Sequence, residues 1–238
     1  MWLMAISALS AYFVKGLCGF ANTLVFSTIA GFGSSNIDIS PMELLLGYPS
    51  NVIMAVRERR GIDWKVCAPL IALVLLGNIP GILLLKNVDA RAIKAVFGAV
   101  IMLIAAEMLF RQLMPRKMKS NRIVLGAIGL ISGLLCGLYG IGALLAAYVS
   151  RVTEDGSAFR GNLCAVFTVE NTFRIVMYSA LGIITWDTLM RAAMLVPAMG
   201  LGLFLGIKCC GVLSEKVVKY VVIAMLIVSG ASMLITNL

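Results

Sequence analysis

The sequence predicts an all-α polytopic membrane protein of about eight transmembrane helices. Three observations carry that reading. Of the 238 residues, 61% are hydrophobic and only 13% are charged, against about 25% charged in an average soluble domain. The mean hydropathy is +1.01, more than a water-soluble domain of this size can hide, because small domains keep much of their surface in water. The apolar residues also fall into eight segments, and a helix needs about 20 such residues to cross a bilayer. Together these exclude a soluble enzyme, a secreted disulfide scaffold and a disordered chain.

The segments run over 2–30, 42–56, 66–85, 92–110, 123–149, 161–183, 187–207 and 212–236. The first and fifth are too long for one straight span. Both are rich in glycine, with Gly16, Gly19, Gly31 and Gly33 in one and Gly126, Gly129, Gly133, Gly137, Gly140 and Gly142 in the other. A helix broken, or re-entrant, near Gly16–Gly19 and again near Gly137–Gly142 is expected, since glycine tolerates unwinding. The second segment carries Pro49 in its middle. Proline removes a backbone donor and disturbs the turn before it, so a disruption is expected there too.

The chain also repeats itself. Gly77 and Gly81 match Gly202 and Gly206 at an offset of 125, and Ile93-Lys94 matches Val218-Lys219 at the same offset. Leu17-Cys18-Gly19 matches Leu135-Cys136-Gly137 at 118, and Gly61-Ile62 matches Gly182-Ile183 at 121. Two four-helix repeats follow, 1–110 and 123–238, joined by a basic linker, 111–122. If every segment crosses fully, four spans per half make the repeats parallel. Internal duplication around a central site is a frequent transporter architecture.

Lys and Arg number 20 and Asp and Glu 11, a net charge of +9. No separate basic domain exists to bind nucleic acid, so the excess reads as positive loops beside an anionic leaflet. The linker holds Arg111, Arg116, Lys117, Lys119 and Arg122, which places it in the cytoplasm. With eight full spans, the loops on that side carry ten positive residues and the others eight. That is a narrow vote for both termini inside. No basic stretch precedes the first apolar run, against a cleaved signal peptide. The chain has no histidine, which removes the commonest general base and metal ligand. The six cysteines show no metal or haem spacing and read as small packing residues. No Walker motif is present to hydrolyse ATP. The reading is therefore not an enzyme, with no metal and no cofactor.

Charges within apolar segments are the sharpest signal, because a charge at bilayer depth costs about 2.5 kcal/mol or more and usually faces a pathway. Lys15 adjoins the first glycine break. Glu170 and Arg174 lie four residues apart in the sixth segment and share a helix face. They either neutralise one another or offer a guanidinium fork to an oxyanion. Asn171 lies beside them, and Asn51 matches it at an offset of 120. Unwound glycine segments can turn backbone donors toward an anion. The candidate substrate-binding residues are Lys15, Gly19, Asn22, Asn51, Gly137, Gly140, Gly142, Glu170, Asn171 and Arg174, with Arg174 central and Glu170 a counter-ion or proton-coupling carboxylate.

Three motifs resemble the TauE/SafE family of sulfite exporter-like membrane transporters. They are Arg59-Arg60-Gly61-Ile62-Asp63-Trp64, its echo Gly182-Ile183-Ile184-Thr185-Trp186-Asp187, and the glycine-rich Gly137-Leu138-Tyr139-Gly140-Ile141-Gly142. The resemblance covers nearly the whole chain. It implies a secondary exporter in a prokaryotic plasma membrane, carrying a small anion, a sulfur oxyanion or an organosulfonate, by alternating access between the repeats. Membrane lipid and a coupling proton would be its other partners. The alternatives are a membrane scaffold that transports nothing, or a carrier of an unrelated small anion.

Overall fold

A computed structural model describes residues 2–30, 36–87, 122–140, 142–153 and 155–210, with shorter stretches between 98 and 110 and between 217 and 235. Among the described residues every regular element is helical. Eight α-helices can be delimited: α1 (Trp2–Cys18), α2 (Asn22–Ala30), α3 (Asn36–Arg57), α4 (Trp64–Asn87), α5 (Arg122–Tyr139), α6 (Ala143–Val152), α7 (Gly156–Ala180) and α8 (Trp186–Cys210). A single 3-10 turn, Arg59–Gly61, links α3 to α4. The fourth and eighth apolar segments and most of the linker fall largely outside the described residues.

Both glycine-rich segments are broken, as expected. The first break covers Gly19 to Ala21, where Gly19 and Ala21 take positive φ of 86° and 70°. The second is at Gly140, φ 71°, and reaches Gly142, which precedes α6. Gly16 and Gly137 lie inside α1 and α5 rather than in the breaks. The disruption expected at Pro49 is not found. α3 runs unbroken through Pro41 and Pro49 and begins at Asn36, six residues before the expected start.

The direction of the helices corrects a second expectation. Tyr12 of α1 reaches the backbone of Glu43, Lys15 bonds Asn51, and Gly16 shares a cavity with Met54. Contacts that advance together along both helices mean that α1 and α3 run parallel. α2 must therefore turn back from the end of α1, as its Asn22 does in bonding Lys15. α1 is also parallel to α8: Gly16 meets Leu203 and Gly206, while Gly202 meets Leu9. α4 is parallel to α5, since Gly77 meets Leu130 and Gly81 meets Leu134 and Gly137. α3 is antiparallel to α7, with Ser40 beside Arg174 and Glu58 beside Ser157 and Arg160. Hence α1 and α5 point in opposite directions. Trp2 and Arg122 start at opposite ends of the bundle, contrary to two parallel halves with both starts on one side.

Glycine makes the closest of these contacts. An added Cβ at Gly16 would lie 2.6 Å from the Leu203 carbonyl oxygen, and one at Gly133 2.9 Å from the Gly77 Cα. In lipid no hydrophobic force drives helices together, so small residues that let backbones touch take that role. The outward faces are apolar. Trp64–Leu83 and Trp186–Cys210 are long and apolar enough to cross a membrane, yet only 39% and 28% of those windows are buried. Leu76, Val176, Met194 and Phe204 stand exposed on the bundle surface, a surface suited to acyl chains rather than water.

Candidate functional site

The two breaks meet in the interior. The first brings Ala21, Asn22 and Thr23 against the middle of α3, and the second brings Gly140 and Gly142 against α7. Between them lies a cavity of about 20 Å³, lined by Lys15, Asn22, Glu43, Asn51, Gly140 and Asn171, with Phe20, Phe167 and the Ala21–Leu24 stretch completing the wall. It has room for a water-sized group. Six of the ten expected site residues line it: Lys15, Asn22, Asn51, Gly140, Gly142 and Asn171.

Lys15 is the cation at this cavity. It is 1% exposed. Its Nζ donates to Asn51 Oδ1 at 2.5 Å and to Asn22 Oδ1 at 3.2 Å. Both acceptors are neutral, and among the described residues Lys15 makes no ion pair. Asn22 passes the connection on, its Nδ2 donating to Glu43 Oε1. Glu43, 3% exposed, was not among the sequence candidates. It lies at the edge of the second apolar segment, where a carboxylate reads as a boundary. The polar and small stripe Glu43, Gly47, Ser50 and Asn51, at helical spacing, is the signal that could have found it.

The remaining four candidates stand behind the cavity. Gly19 packs against Arg160, where an added Cβ would be 2.7 Å from Cγ. Gly137 offers its carbonyl to the Tyr178 hydroxyl at 3.2 Å. Arg174 and Glu170 pair through Nε and Oε1 at 3.7 Å, exposed by 1% and 2%. Glu170 Oε1 also accepts from Asn78 Nδ2 at 2.9 Å. The Arg174 guanidinium is held further by Nη2, which donates to Ser40 Oγ and to Tyr178 Oη, each at 3.3 Å, and it stands 5.2 Å from the Tyr178 ring centre. Its Nη1 faces the second break: an added Cβ at Gly140 would be 2.7 Å from it and 3.2 Å from Glu43 Oε2. Arg174 therefore reaches the cavity across the Gly140 backbone rather than lining it.

Four ionisable groups, Lys15, Glu43, Glu170 and Arg174, are thus buried in one polar layer. Two positive and two negative charges sum to zero when all are ionised. Buried charge is tolerated where it is paired and hydrogen-bonded, and amides from Asn22, Asn51 and Asn78 supply the links. Cys18 and Cys164 lie beside the first break, where Cys18 Sγ donates to the Val14 and Phe20 carbonyls and Cys164 Sγ to the Gly19 carbonyl. No group of three metal-ligating side chains occurs among the described residues.

No solved structure matches the chain. A curated protein of Cupriavidus necator, described as a probable sulfite/organosulfonate exporter TauE, is 26% identical over 230 residues, covering 88% of this chain and 89% of its own. The family model for sulfite exporter TauE/SafE matches residues 3–233. A match of that extent, over a bundle with an apolar outer surface and a buried polar layer, makes this chain a membrane protein belonging to the sulfite exporter TauE/SafE family.

Proposed function

We propose that the chain is a multi-pass secondary exporter of a small anion, sulfite or a short organosulfonate, which binds between the two breaks against Lys15. One observation carries the reading: Lys15 is a buried cation on the cavity wall whose partners are two neutral amide oxygens. A charge so placed is costly without a counter-ion, and a small anion supplies one. Asn51, Asn171 and the backbone at Gly140 and Gly142 complete the site, while Arg174 holds the second break in position. The name of the Cupriavidus necator relative supports the substrate class.

The two halves, 1–110 and 123–238, are inverted repeats in this reading, each with a broken first segment that folds back instead of crossing once. The opposed directions of α1 and α5 and of α3 and α7 support it. So does charge. Arg57, Arg59, Arg60, Lys65, Arg160 and Lys208 belong to the end of the bundle where α1 stops, whereas Lys86 and Arg191 belong to the other. The positive-inside rule puts the first end, and the linker that leads into α5 there, in the cytoplasm. The N-terminus is then outside, the reverse of the narrow vote from loop counting.

The layer's charge balance implies coupling. With four groups at zero, a bound monoanion leaves one negative charge unbalanced, and a proton on Glu43 restores neutrality. Glu43→Gln should make transport indifferent to a pH gradient.

The primary test is counterflow of radiolabelled sulfite in proteoliposomes. Saturable exchange is expected in the wild type. Lys15→Gln should reduce it by about tenfold or more, the scale of a lost charge-assisted hydrogen bond. No exchange of sulfite or of short organosulfonates by the wild type would return the chain to a membrane scaffold or to a carrier of another anion.

A further inference from the structure

Beyond the central layer lies a second cavity, of about 120 Å³. Gly16, Met54, Arg57, Glu58, Arg160, Ile207 and Cys210 line it. It sits where α1, α3, α7 and α8 converge, one residue along α1 from Lys15, at the end of the bundle that carries the positive residues. Its polar groups are tied to a single carboxylate. Glu58 Oε2 accepts from Ser157 Oγ at 2.6 Å. Glu58 Oε1 faces Arg160 Nε at 3.4 Å and Arg57 Nε at 3.8 Å. Arg160 Nη2 also donates to Glu58 Oε1 at 3.4 Å, and among the described residues Nη1 has only the Cys210 thiol, at 3.6 Å. Two guanidinium groups thus share one carboxylate, and the cavity keeps a net charge of +1 when all three are ionised. Arg160 also leans on the first break, its Cγ 2.7 Å from where a Cβ on Gly19 would be.

We propose that this cavity is a vestibule site for a small sulfur oxyanion or sulfonate, distinct from the site at Lys15 and preceding it on the path from the cytoplasm. Its volume admits a group with three oxygens. Its two arginines supply planar donors suited to such a group. An anion there competes with Glu58 for Arg160. Because Arg160 abuts Gly19, occupancy of the vestibule and the position of the first break are mechanically linked. The placement on an export path rests on the function proposed above, but the binding itself does not.

Cys210 gives a direct readout. In purified full-length protein carrying Cys209→Ala, Cys210 is modified with an anionic or a cationic methanethiosulfonate and followed by mass spectrometry of its peptide. Methanesulfonate is the protecting probe, since sulfite would consume the reagent. With each rate divided by that reagent's rate on a free thiol, the anionic reagent should be favoured over the cationic one by about thirtyfold, the attraction of one and the repulsion of the other each being about 1 kcal/mol at short range in water. Methanesulfonate should slow it saturably. Arg57→Gln alone should bring the two rates together, Arg57→Gln with Arg160→Gln should reverse the preference because Glu58 is left alone, and Arg160→Lys should keep it. Equal rates in the wild type, or no protection by methanesulfonate, overturns the vestibule whatever the variants do. Protection without sulfite counterflow leaves the vestibule standing and removes the exporter. Counterflow without protection does the reverse.

Discussion

Gly140→Ala tests whether the second break and Arg174 act as one unit. Gly140 has φ of 71°, where a residue with a Cβ costs about 1–2 kcal/mol. The new methyl would also lie 2.7 Å from Arg174 Nη1, well inside the roughly 3.5–4.0 Å of an ordinary contact. The guanidinium has little freedom to give way, because Ser40, Tyr178 and Glu170 hold its other side. Its bonds to Ser40 and Tyr178 are already 3.3 Å, so a shift of several tenths of an ångström breaks at least one. A hydrogen bond to a charged group is worth about 1.5–3 kcal/mol. The combined local cost, about 2–5 kcal/mol, is below or near the lower end of a domain's usual stability of about 5–15 kcal/mol. The variant should insert, melt at a lower temperature in detergent, and exchange sulfite at least about tenfold more slowly than wild type, on the scale of one such lost bond. Gly200→Ala is the control, since an added Cβ there meets nothing within 4 Å. Wild-type exchange by Gly140→Ala, or equal damage from Gly200→Ala, refutes the reasoning.

Other outcomes follow from the same geometry. The double change Glu170→Gln with Arg174→Gln removes both charges of a buried pair, avoiding the stranded partner that a single change leaves. It should express well and lose sulfite exchange, and unchanged affinity and rate would make the pair structural glue alone. A cysteine at Ser120 or Arg60 should resist an impermeant thiol reagent added outside intact cells, while one at Thr185 should be labelled. The opposite pattern reverses the orientation. Gly206→Ala places a methyl against the Phe13 carbonyl, with the Gly16 Cα 2.9 Å away, and should cost about 1–3 kcal/mol through overpacking. A thermal melt in detergent reads that cost, with Gly126→Ala, where a Cβ also meets nothing within 4 Å, expected to be neutral.

Composition and apolar run length made the membrane class legible, and glycine density located both breaks to within a few residues. Polar residues in apolar runs identified Lys15, Asn22, Asn51 and Asn171. What stayed hidden was direction. A glycine such as Gly19 marks where a helix can stop, but the return of α2 is fixed by what Asn22 meets, namely Lys15 and Glu43. The same is true of α3. Asn36, Asp38 and Ser40 lower the local hydropathy, so the helix seemed to start after them, yet Ser40 and the neighbouring Glu43 are buried against partners 134 residues away or within α2. The correspondence between the two breaks was hidden for a related reason. The Leu-Cys-Gly match aligns Cys18 with Cys136 at 118, whereas the turns at Gly19 and Gly140, and the contacts of Gly16 and Gly137, pair at 121.

The glycine contacts decide which parts of the bundle can separate. α1 belongs to the first half of the sequence but is seated backbone to backbone on α8, from the second. α5 is seated in the same manner on α4, across the boundary in the other direction. With no side chains to rearrange at Gly16 and Gly206, or at Gly77 and Gly133, neither seam can open a little at a time. A motion that parted residues 1–110 from 123–238 would have to pull both seams apart at once. The closest-packed units are therefore exchanged pairs, α1 with α8 and α4 with α5. α3 and α7 lie between them and meet through polar side chains, through Leu44 against Tyr178, and through Gly161 against the Glu58 carbonyl. Each pair carries one of the two breaks toward that layer, Gly19 at the end of α1 and Gly140 at the end of α5.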